Sequence, residues 1–501
     1  MLHGDLAASQ AALSRALAEW PASVELQRAL AGVHQQAGRA TEAESTLRKL
    51  LARDPHDAAA AFALARLLKE QGRTAAAASV MRSCFDDAPN LRDANLAIAA
   101  IELLDDSDRK RDAAAIAEAA ISANPGDVRL YAYAGMLAVQ LGDFERARQC
   151  YLFALEHDDR AWEWHVSLGL SSAQRYKDRA HPDFALFNDG LRREGLSELA
   201  RAELHFALGK AHDDTGNYAE AARLFREGNA IRHRLAPWSR KAWRRAAEAR
   251  LAVKPSAVAA EPVEGFTPVF IVGMPRTGTT LLAELLSRHP GVCNRGELPW
   301  LARLAQQSDL SGAPDRAALQ RAAAQYLRQS RQDAADDARW FLDKQPLNFR
   351  YVDLALAMFP DAKIVHCRRN PRDTALSLWM QCFLEEVQGY SYAFDDIDVV
   401  MRDERRLMTH WCALFPNAIR TVDYESLVAA PQDTAAALAA WIGFPPAPSG
   451  IEESKGETIG NVISTASLWQ ARQPIHSQSV GRWQHYASHV PELLKLPGNS
   501  T

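Results

Sequence analysis

Along the first half of the chain, Ala and Leu recur at intervals of three and four while charged residues fill the gaps, the spacing of one-sided α-helices. The pattern breaks at regular places. Pro21, Pro55, Pro89 and Pro125 stand 34, 34 and 36 residues apart, and Gly38 and Gly72 stand 34 apart between them. Two stretches show the layout best, "WPASVELQRALAGVHQQAGRATEAESTLRKLLARDP" and "NPGDVRLYAYAGMLAVQLGDFERARQCYLFALEHDD". Each reads as a helix, a Gly turn, a second helix, then Asp or Asn before the proline of the next unit. Such a hairpin buries its apolar stripe only by stacking on its neighbours, and small residues let the helices approach closely.

A period of 34 with Gly at the inner turn and Pro at the outer one resembles tetratricopeptide repeats. After about residue 160 the period loosens, although "HFALGKAHDDTGNYAEAARLFREGNAIR" (205–232) reads as a further unit. The opening "GDLAASQAALSRALAEWP" reads as the second helix of a repeat without its first, as expected if the start codon is assigned too late or the array begins with a half unit. An α-solenoid is expected over residues 1–250. Its concave side would dock a peptide, including the segment of a protein on which the second half acts, or the array would serve as spacer or brace.

The pattern changes at "LAVKPSAVAAEPVEGF", where residues 251–265 read as a linker. Beyond it come short apolar runs bounded by Pro or Gly: "PVFIVGM" (268–274), "AKIVHCR" (362–368) and "IRTVDYE" (419–425). Each precedes a helical pattern, which predicts a parallel α/β sheet covered on both faces over 266–495. The chain is therefore read as α followed by α/β. Its 501 residues exceed one ordinary domain, and its net charge of -4 argues against a protein that grips nucleic acid through a broad basic surface. No run of about twenty apolar residues suggests a membrane span. The start lacks the marks of a signal peptide, and the six cysteines are scattered without metal-ligand spacing. A cytoplasmic protein without a metal is expected.

Candidate chemistry gathers in the second half. "GMPRTGTT" (273–280) sets Gly273, Gly278 and Thr280 on the fixed positions of a phosphate-binding P-loop, but Thr279 stands where the lysine belongs. A tight loop between a buried strand and a helix N-terminus is an anion site. Without the lysine, a nucleoside triphosphate is a poor match for it. "PRTGTTLL" resembles the 5′-phosphosulfate loop of sulfotransferases that use 3′-phosphoadenosine 5′-phosphosulfate (PAPS). The resemblance implies that Arg276, Thr277, Gly278, Thr279 and Thr280 hold the 5′-phosphate and sulfonate. In "RNPRDTALS", Arg369 and Ser377 stand at the spacing that binds the 3′-phosphate in that family, with Ser377 expected in the first turn of a helix. Read alone, Arg369 would sooner form a surface ion pair with Asp373; the two motifs in their expected order reverse that reading.

The wider match, over about residues 266 to 490, is closest to bacterial tetratricopeptide-containing sulfotransferases and to protein-tyrosine sulfotransferases. It rests on "NRGELPWL", "LDKQPLN", "VDYESLV" and "TASLWQARQP" in that order. It implies sulfonate transfer from PAPS to a hydroxyl, with a peptide or protein tyrosine as the acceptor, and small phenols, glycans or lipids as alternatives. Glu297 would be the general base, needing burial to raise its pKa toward neutrality; on its own it is also a turn or helix-cap Glu. Lys344 would stabilise the bridging oxygen as the sulfur–oxygen bond breaks; its alternative is a surface pair with Asp343. Ser467 would hydrogen-bond the sulfonate, Tyr424 would pack near the adenosine or in the core, and Arg482 would reach the 3′-phosphate. Gln381 stands where animal protein-tyrosine sulfotransferases carry a basic residue. His366, among Ile364, Val365 and Cys367, reads as a strand histidine with a partner. Two rival readings are a kinase of the same loop type, for which lysine and an acidic Mg²⁺ ligand are missing, and a repeat scaffold carrying an inactive transferase domain.

Overall fold

The prolines and glycines that mark the period stand at the turns between helices. In the computed structural model, residues 5–86, 89–253, 258–307, 310, 314–332, 334–335, 337–383, 386–445 and 477–498 are described. The chain divides into two units, Met1–Ala161 and Trp162–Thr501. The first is a run of helices: α1 (Leu6–Glu19), α2 (Val24–Gln36), α3 (Ala40–Arg53), α4 (Ala58–Glu70), α5 (Thr74–Phe85), α6 (Ala94–Asp105), α7 (Lys110–Ala123), α8 (Val128–Leu141) and α9 (Phe144–His157). Ser23, Asp57, Asp93 and Asp127 cap α2, α4, α6 and α8, each accepting a hydrogen bond from a first-turn N–H. At three of these turns the cap follows its proline by two residues. At Pro89 a 3₁₀ turn, Pro89–Arg92, intervenes before Asp93, and this insertion accounts for the longer interval to Pro125.

Gly38, Gly72 and Gly142 take left-handed φ values of 74°, 80° and 85° between paired helices; between α6 and α7 Asp108 does the same at 58°. An Asp tolerates that region better than most side chains, so the third hairpin keeps its turn without glycine. Ala60, Ala65, Ala77, Ala100 and Ala117 are fully buried, beside Leu64, Leu68, Leu104 and Leu137. The alanines bring helix axes close, and the leucines fill the remaining space.

The second unit begins with α10 (Val166–Ser172), α11 (Pro182–Arg192), α12 (Glu198–Asp214), α13 (Tyr218–Leu235) and α14 (Arg240–Leu251). A five-stranded sheet follows: β1 (Thr267–Gly273), β2 (Val292–Asn294), β3 (Trp340–Asp343), β4 (Lys363–Arg368) and β5 (Ile419–Asp423), in the order β2-β3-β1-β4-β5. Every pairing is parallel. The connecting helices are α15 (Thr279–Leu286), α16 (Trp300–Leu304), α17 (Arg316–Arg331), α18 (Val352–Met358), α19 (Pro371–Trp379), α20 (Phe394–Leu414), α21 (Tyr424–Ala429), α22 (Pro431–Ile442) and α23 (Glu492–Lys495). β1 is central, with β3 on one side and β4 on the other, and the carboxyl ends of strands at such a switch point are where ligands bind in parallel sheets.

Side-chain alternation assigns the two faces. Val269, Ile271, Leu342, Val365 and Val422 pack with Leu282 and Leu286 of α15 and Leu438 and Ile442 of α22. Phe270, Val272, Phe341 and Ile364 join the other cluster, with Tyr326 of α17, Met358 of α18 and Trp411 of α20. Phe206 of α12, Phe225 of α13 and Trp243 of α14 belong to that same cluster. His366 points to this side too, its Nε2 2.6 Å from Glu404 Oε1 on α20, both buried. Phe225 meets the ring of Trp379 at 5.9 Å, and Asn229 donates to the Trp379 carbonyl at 2.8 Å. No helix among the described residues is long and apolar enough to cross a membrane.

Because Phe225 shares a core with the sheet, Phe225→Ala is expected to destabilise the Trp162–Thr501 unit by about 3–5 kcal/mol. Chemical denaturation would read this as a shifted midpoint at constant slope.

Candidate functional site

The loop after β1 is built on backbone that few side chains allow. Gly273 has φ 142°, and a Cβ there would lie 2.3 Å from the Cys367 carbonyl of β4. Gly278 has φ 90°, and its Cβ would lie 2.6 Å from the ring of Tyr424. Between them Arg276 itself adopts φ 72°, a conformation costing on the order of 1–3 kcal/mol for a non-glycine residue. Thr277 is buried and donates its hydroxyl to the Met274 carbonyl at 2.7 Å, closing the loop on itself. Helix α15 then starts at Thr279 with Gly278 at its cap, so the buried Thr279 and its neighbour Thr280 open the helix.

The left-handed turn at Arg276 puts its carbonyl where Arg369 Nη1 donates to it at 3.0 Å, while its own Nε donates to Ser377 Oγ at 3.0 Å. Two segments 101 residues apart thus meet through one arginine. Asn370 caps α19, accepting from Arg372 and Asp373 N–H, with Pro371 in the first turn. Ser377 sits in the second turn of α19, not the first as the sequence suggested, because the helix starts at Pro371. From there it reaches Arg276 by side chain, with no role for the free N–H groups of the helix start. Arg369 lies 4.7 Å over the face of Tyr424 and donates Nη2 to the Ser479 carbonyl at 2.5 Å. Its buried Nε has no partner among the described residues. Asp373 does not hydrogen-bond Arg369; its two oxygens accept from Gly481 N–H at 2.7 Å and Trp483 N–H at 2.9 Å. Arg369, Ser377, Ser479 and Arg482 line a small pocket with Asp373, Leu376 and Met380.

Burial, then the like charges of Arg369 and Arg482, pull Arg276 down to about 10. Arg369 is also lowered, by burial first. The three guanidinium groups repel one another, a repulsion that a nearby anion would relieve. They are a donor set for a phosphate group.

A second cluster stands where β3 ends. Lys344, almost fully buried, pairs with Glu297. Its N–H donates to the Gly296 carbonyl at 2.8 Å, holding the two segments side by side. Asp343, which the sequence offered as a surface partner for Lys344, is buried and turned the other way. Its Oδ2 accepts from Tyr326 at 2.7 Å and Asn348 at 3.1 Å; its Oδ1 accepts from Leu298 N–H at 3.3 Å and Gln345 N–H at 3.2 Å. Burial pushes the Asp343 carboxyl up to about 7.

Residues 268–448 match the sulfotransferase family model. Tetratricopeptide repeat models match residues 1–67, 36–101 and 134–195. This is a sulfotransferase-family domain joined to tetratricopeptide repeats. An uncharacterized protein of Aquifex aeolicus is 32% identical over 246 residues, 46% of this chain and 32% of that protein. The nodulation protein NoeE of Sinorhizobium fredii is 28% identical over 261 residues, 43% of this chain and 59% of that protein. The chain thus spans 32% and 59% of the length of these curated relatives. Among solved structures, the sulfotransferase domain of a Synechococcus olefin synthase overlaps 48% of this chain and 97% of its own, at 19% identity and a TM-score of 0.34.

Within the sulfotransferase domain, the loop residues Arg276 to Thr280 lie together with Arg369, Ser377, Tyr424 and Arg482, and Glu297 lies with Lys344. Ser467 lies outside the described residues. Sequence reasoning missed the weight carried by Asp343 and Asp373. Each stands beside a candidate already singled out, but only the fold shows which backbone N–H groups their oxygens collect. No group of three or more His, Cys, Asp or Glu with metal-binding geometry occurs among the described residues.

The raised carboxyl of Asp343 has a signed consequence. The folded state holds its proton from the ordinary value of 3.8 up to about 7, so the stability it contributes is complete at low pH and declines across that window as pH rises. Asp343→Asn cannot titrate. Wild-type stability should therefore fall relative to the variant between about pH 4 and pH 7, as thermal melts at matched ionic strength would read.

Proposed function

We propose that the chain transfers the sulfonate of PAPS to an acceptor hydroxyl, with a peptide or protein tyrosine as the acceptor we favour. The observation that carries this reading is the meeting of Arg276 with Arg369 and Ser377, which joins the two anion-binding segments at one point. PAPS has two phosphate-bearing ends, and two such segments suit it. The strained cradle supports the fit as well: a Cβ at Gly278 would fill the space against Tyr424. PAPS, when bound, supplies an activated sulfonate on a phosphate leaving group. Arg369, Arg482 and Ser377 would take its 3′-phosphate. Backbone and hydroxyls of Thr277, Thr279 and Thr280, with Arg276, would hold the 5′ end.

Glu297 Oε would accept the proton of the acceptor hydroxyl as its oxygen bonds to sulfur and the bond from sulfur to the phosphate oxygen breaks. The Glu297–Lys344 pair couples the two ends of that step. A carboxylate that gains a proton loses its hold on the lysine, and the freed ammonium charge is then available to the oxygen on which negative charge develops. Ser467 completes the proposed set as a hydrogen-bond donor to the sulfonate. A role for the tetratricopeptide repeats in presenting the acceptor, and a cytoplasmic setting, complete the reading.

Titration calorimetry tests the donor site. The product nucleotide, 3′-phosphoadenosine 5′-phosphate, is expected to bind more tightly than AMP, with Mg-ATP weakest. Arg369→Ala should erase most of the preference for the 3′-phosphate; tighter Mg-ATP binding would return the kinase reading. Glu297→Gln is expected to lower kcat on a tyrosine peptide by about 10²–10⁴ while leaving nucleotide affinity unchanged. Transfer only to phenols, glycans or lipids would redirect the acceptor assignment without touching the chemistry.

A further inference from the structure

The pocket lined by Arg369, Ser377 and Arg482 is closed on one side by the C-terminal segment 477–498, and that segment is held from two directions. From the sulfotransferase side, Asp373 takes the N–H groups of Gly481 and Trp483. Arg372 lies 4.6 Å over the Trp483 ring and donates to the Leu496 carbonyl at 3.3 Å. From the helical side, Asp213 at the end of α12 pairs with Arg482 and accepts from Tyr486 Oη at 2.6 Å. Tyr218 of α13 stacks on His485 at 4.9 Å, and Arg226 pairs with Glu492 at 2.7 Å. Asp213 and Tyr486 are both buried.

We infer that Asp213, a residue of the helices preceding the sulfotransferase domain, is a positioning residue of the nucleotide pocket: it fixes Arg482 and, through Tyr486, the segment that carries Arg482 to the pocket. The inference rests on the donor reading given above. An arginine held by a buried carboxylate has few rotamers left, so the ordering needed to meet a phosphate is largely complete before the ligand arrives. Without Asp213, Arg482 would keep its charge but lose its orientation, and the Tyr486 hydroxyl would be left buried without its acceptor. The pocket is then finished by an acid from the helices that precede the sheet. By reciprocity, if the hold of α12 and α13 on segment 477–498 strengthens nucleotide binding, bound nucleotide strengthens that hold.

The test is the ratio of affinities for 3′-phosphoadenosine 5′-phosphate and AMP, measured by calorimetry on the full chain. Asp213→Asn is expected to lower this ratio about tenfold or more, the loss of a hydrogen bond to a charged group. Arg482→Ala should lower it as much, and the double variant no further than either. A purely structural role for Asp213 would weaken both nucleotides alike and leave the ratio in place. An unchanged ratio in Asp213→Asn, additive losses in the double variant, or tighter binding in Asp213→Asn would each overturn the inference. A wild-type chain that does not distinguish the two nucleotides would instead overturn the donor reading itself. Should Asp213→Asn not fold, Tyr486→Phe removes one of the two bonds to Asp213 and should lower the ratio by a smaller factor. The wild-type chain offers an independent check. The 3′-phosphorylated nucleotide should slow amide exchange in the Asp213–Tyr218 turn more than AMP does; equal exchange would overturn the coupling.

Discussion

Three partly buried arginines close to one another set the terms for the rest of the sulfotransferase domain. Arg276, Arg369 and Arg482 repel one another, and partial burial thins the water that would screen them. Such an arrangement persists only if the surroundings over-determine it. Arg276 is held by a strained backbone turn and by Ser377, Arg369 by the Arg276 and Ser479 carbonyls and the face of Tyr424, and Arg482 by Asp213. Arg482 is bonded directly to the Asp213 carboxylate.

That constraint explains why the tight packing lies where it does. Gly273 lets β1 approach the Cys367 carbonyl, and Gly278 lets the Tyr424 ring close over the loop. Tyr424 then serves both sides, covering the loop with one edge and Arg369 with its face. A larger residue at either glycine would push apart segments that meet only because nothing stands between them. Asp343 plays the corresponding part at the end of β3. Its four donors tie Tyr326 of α17, Asn348 and the N–H groups of Leu298 and Gln345 to one carboxylate, so the backbone on either side of Glu297 and Lys344 is anchored to the same point.

The helices Val166–Leu251 are more than an appendage of this domain. Phe225, Trp243 and Asn229 enter its core, Arg232 donates to the Phe383 carbonyl at 2.7 Å, and Arg240 and His233 converge on Asp396 at the start of α20. An interface this dense between helices and α/β domain, with hydrogen bonds reaching beneath the surface, behaves as one core; it is not a docking contact between separate bodies.

Much of this was legible in the residues. The 34-residue period announced helix pairs because each turn needs the same chemistry: a proline and an acidic or hydroxyl cap outside, and a left-handed residue inside. The loop motif announced a tight turn between a buried strand and a helix starting at Thr279, because glycines at 273 and 278 permit backbone that other residues resist. β2 and β3 escaped notice because three and four residues are too short for a period to show. The solenoid reading of 1–250 followed the repeat pattern, but sequence period says nothing of which neighbour a helix buries its face against. What the sequence by itself determined was local: where helices start and stop, which loop is strained, which side chains carry charge. Only tertiary structure decided which of those charges meet. Asp343 turns inward because β3 alternates its faces, so Lys344 finds Glu297 instead. Asp213 reaches Arg482 across 269 residues because two helices and a C-terminal segment pack together, and no local spacing encodes a contact made by packing.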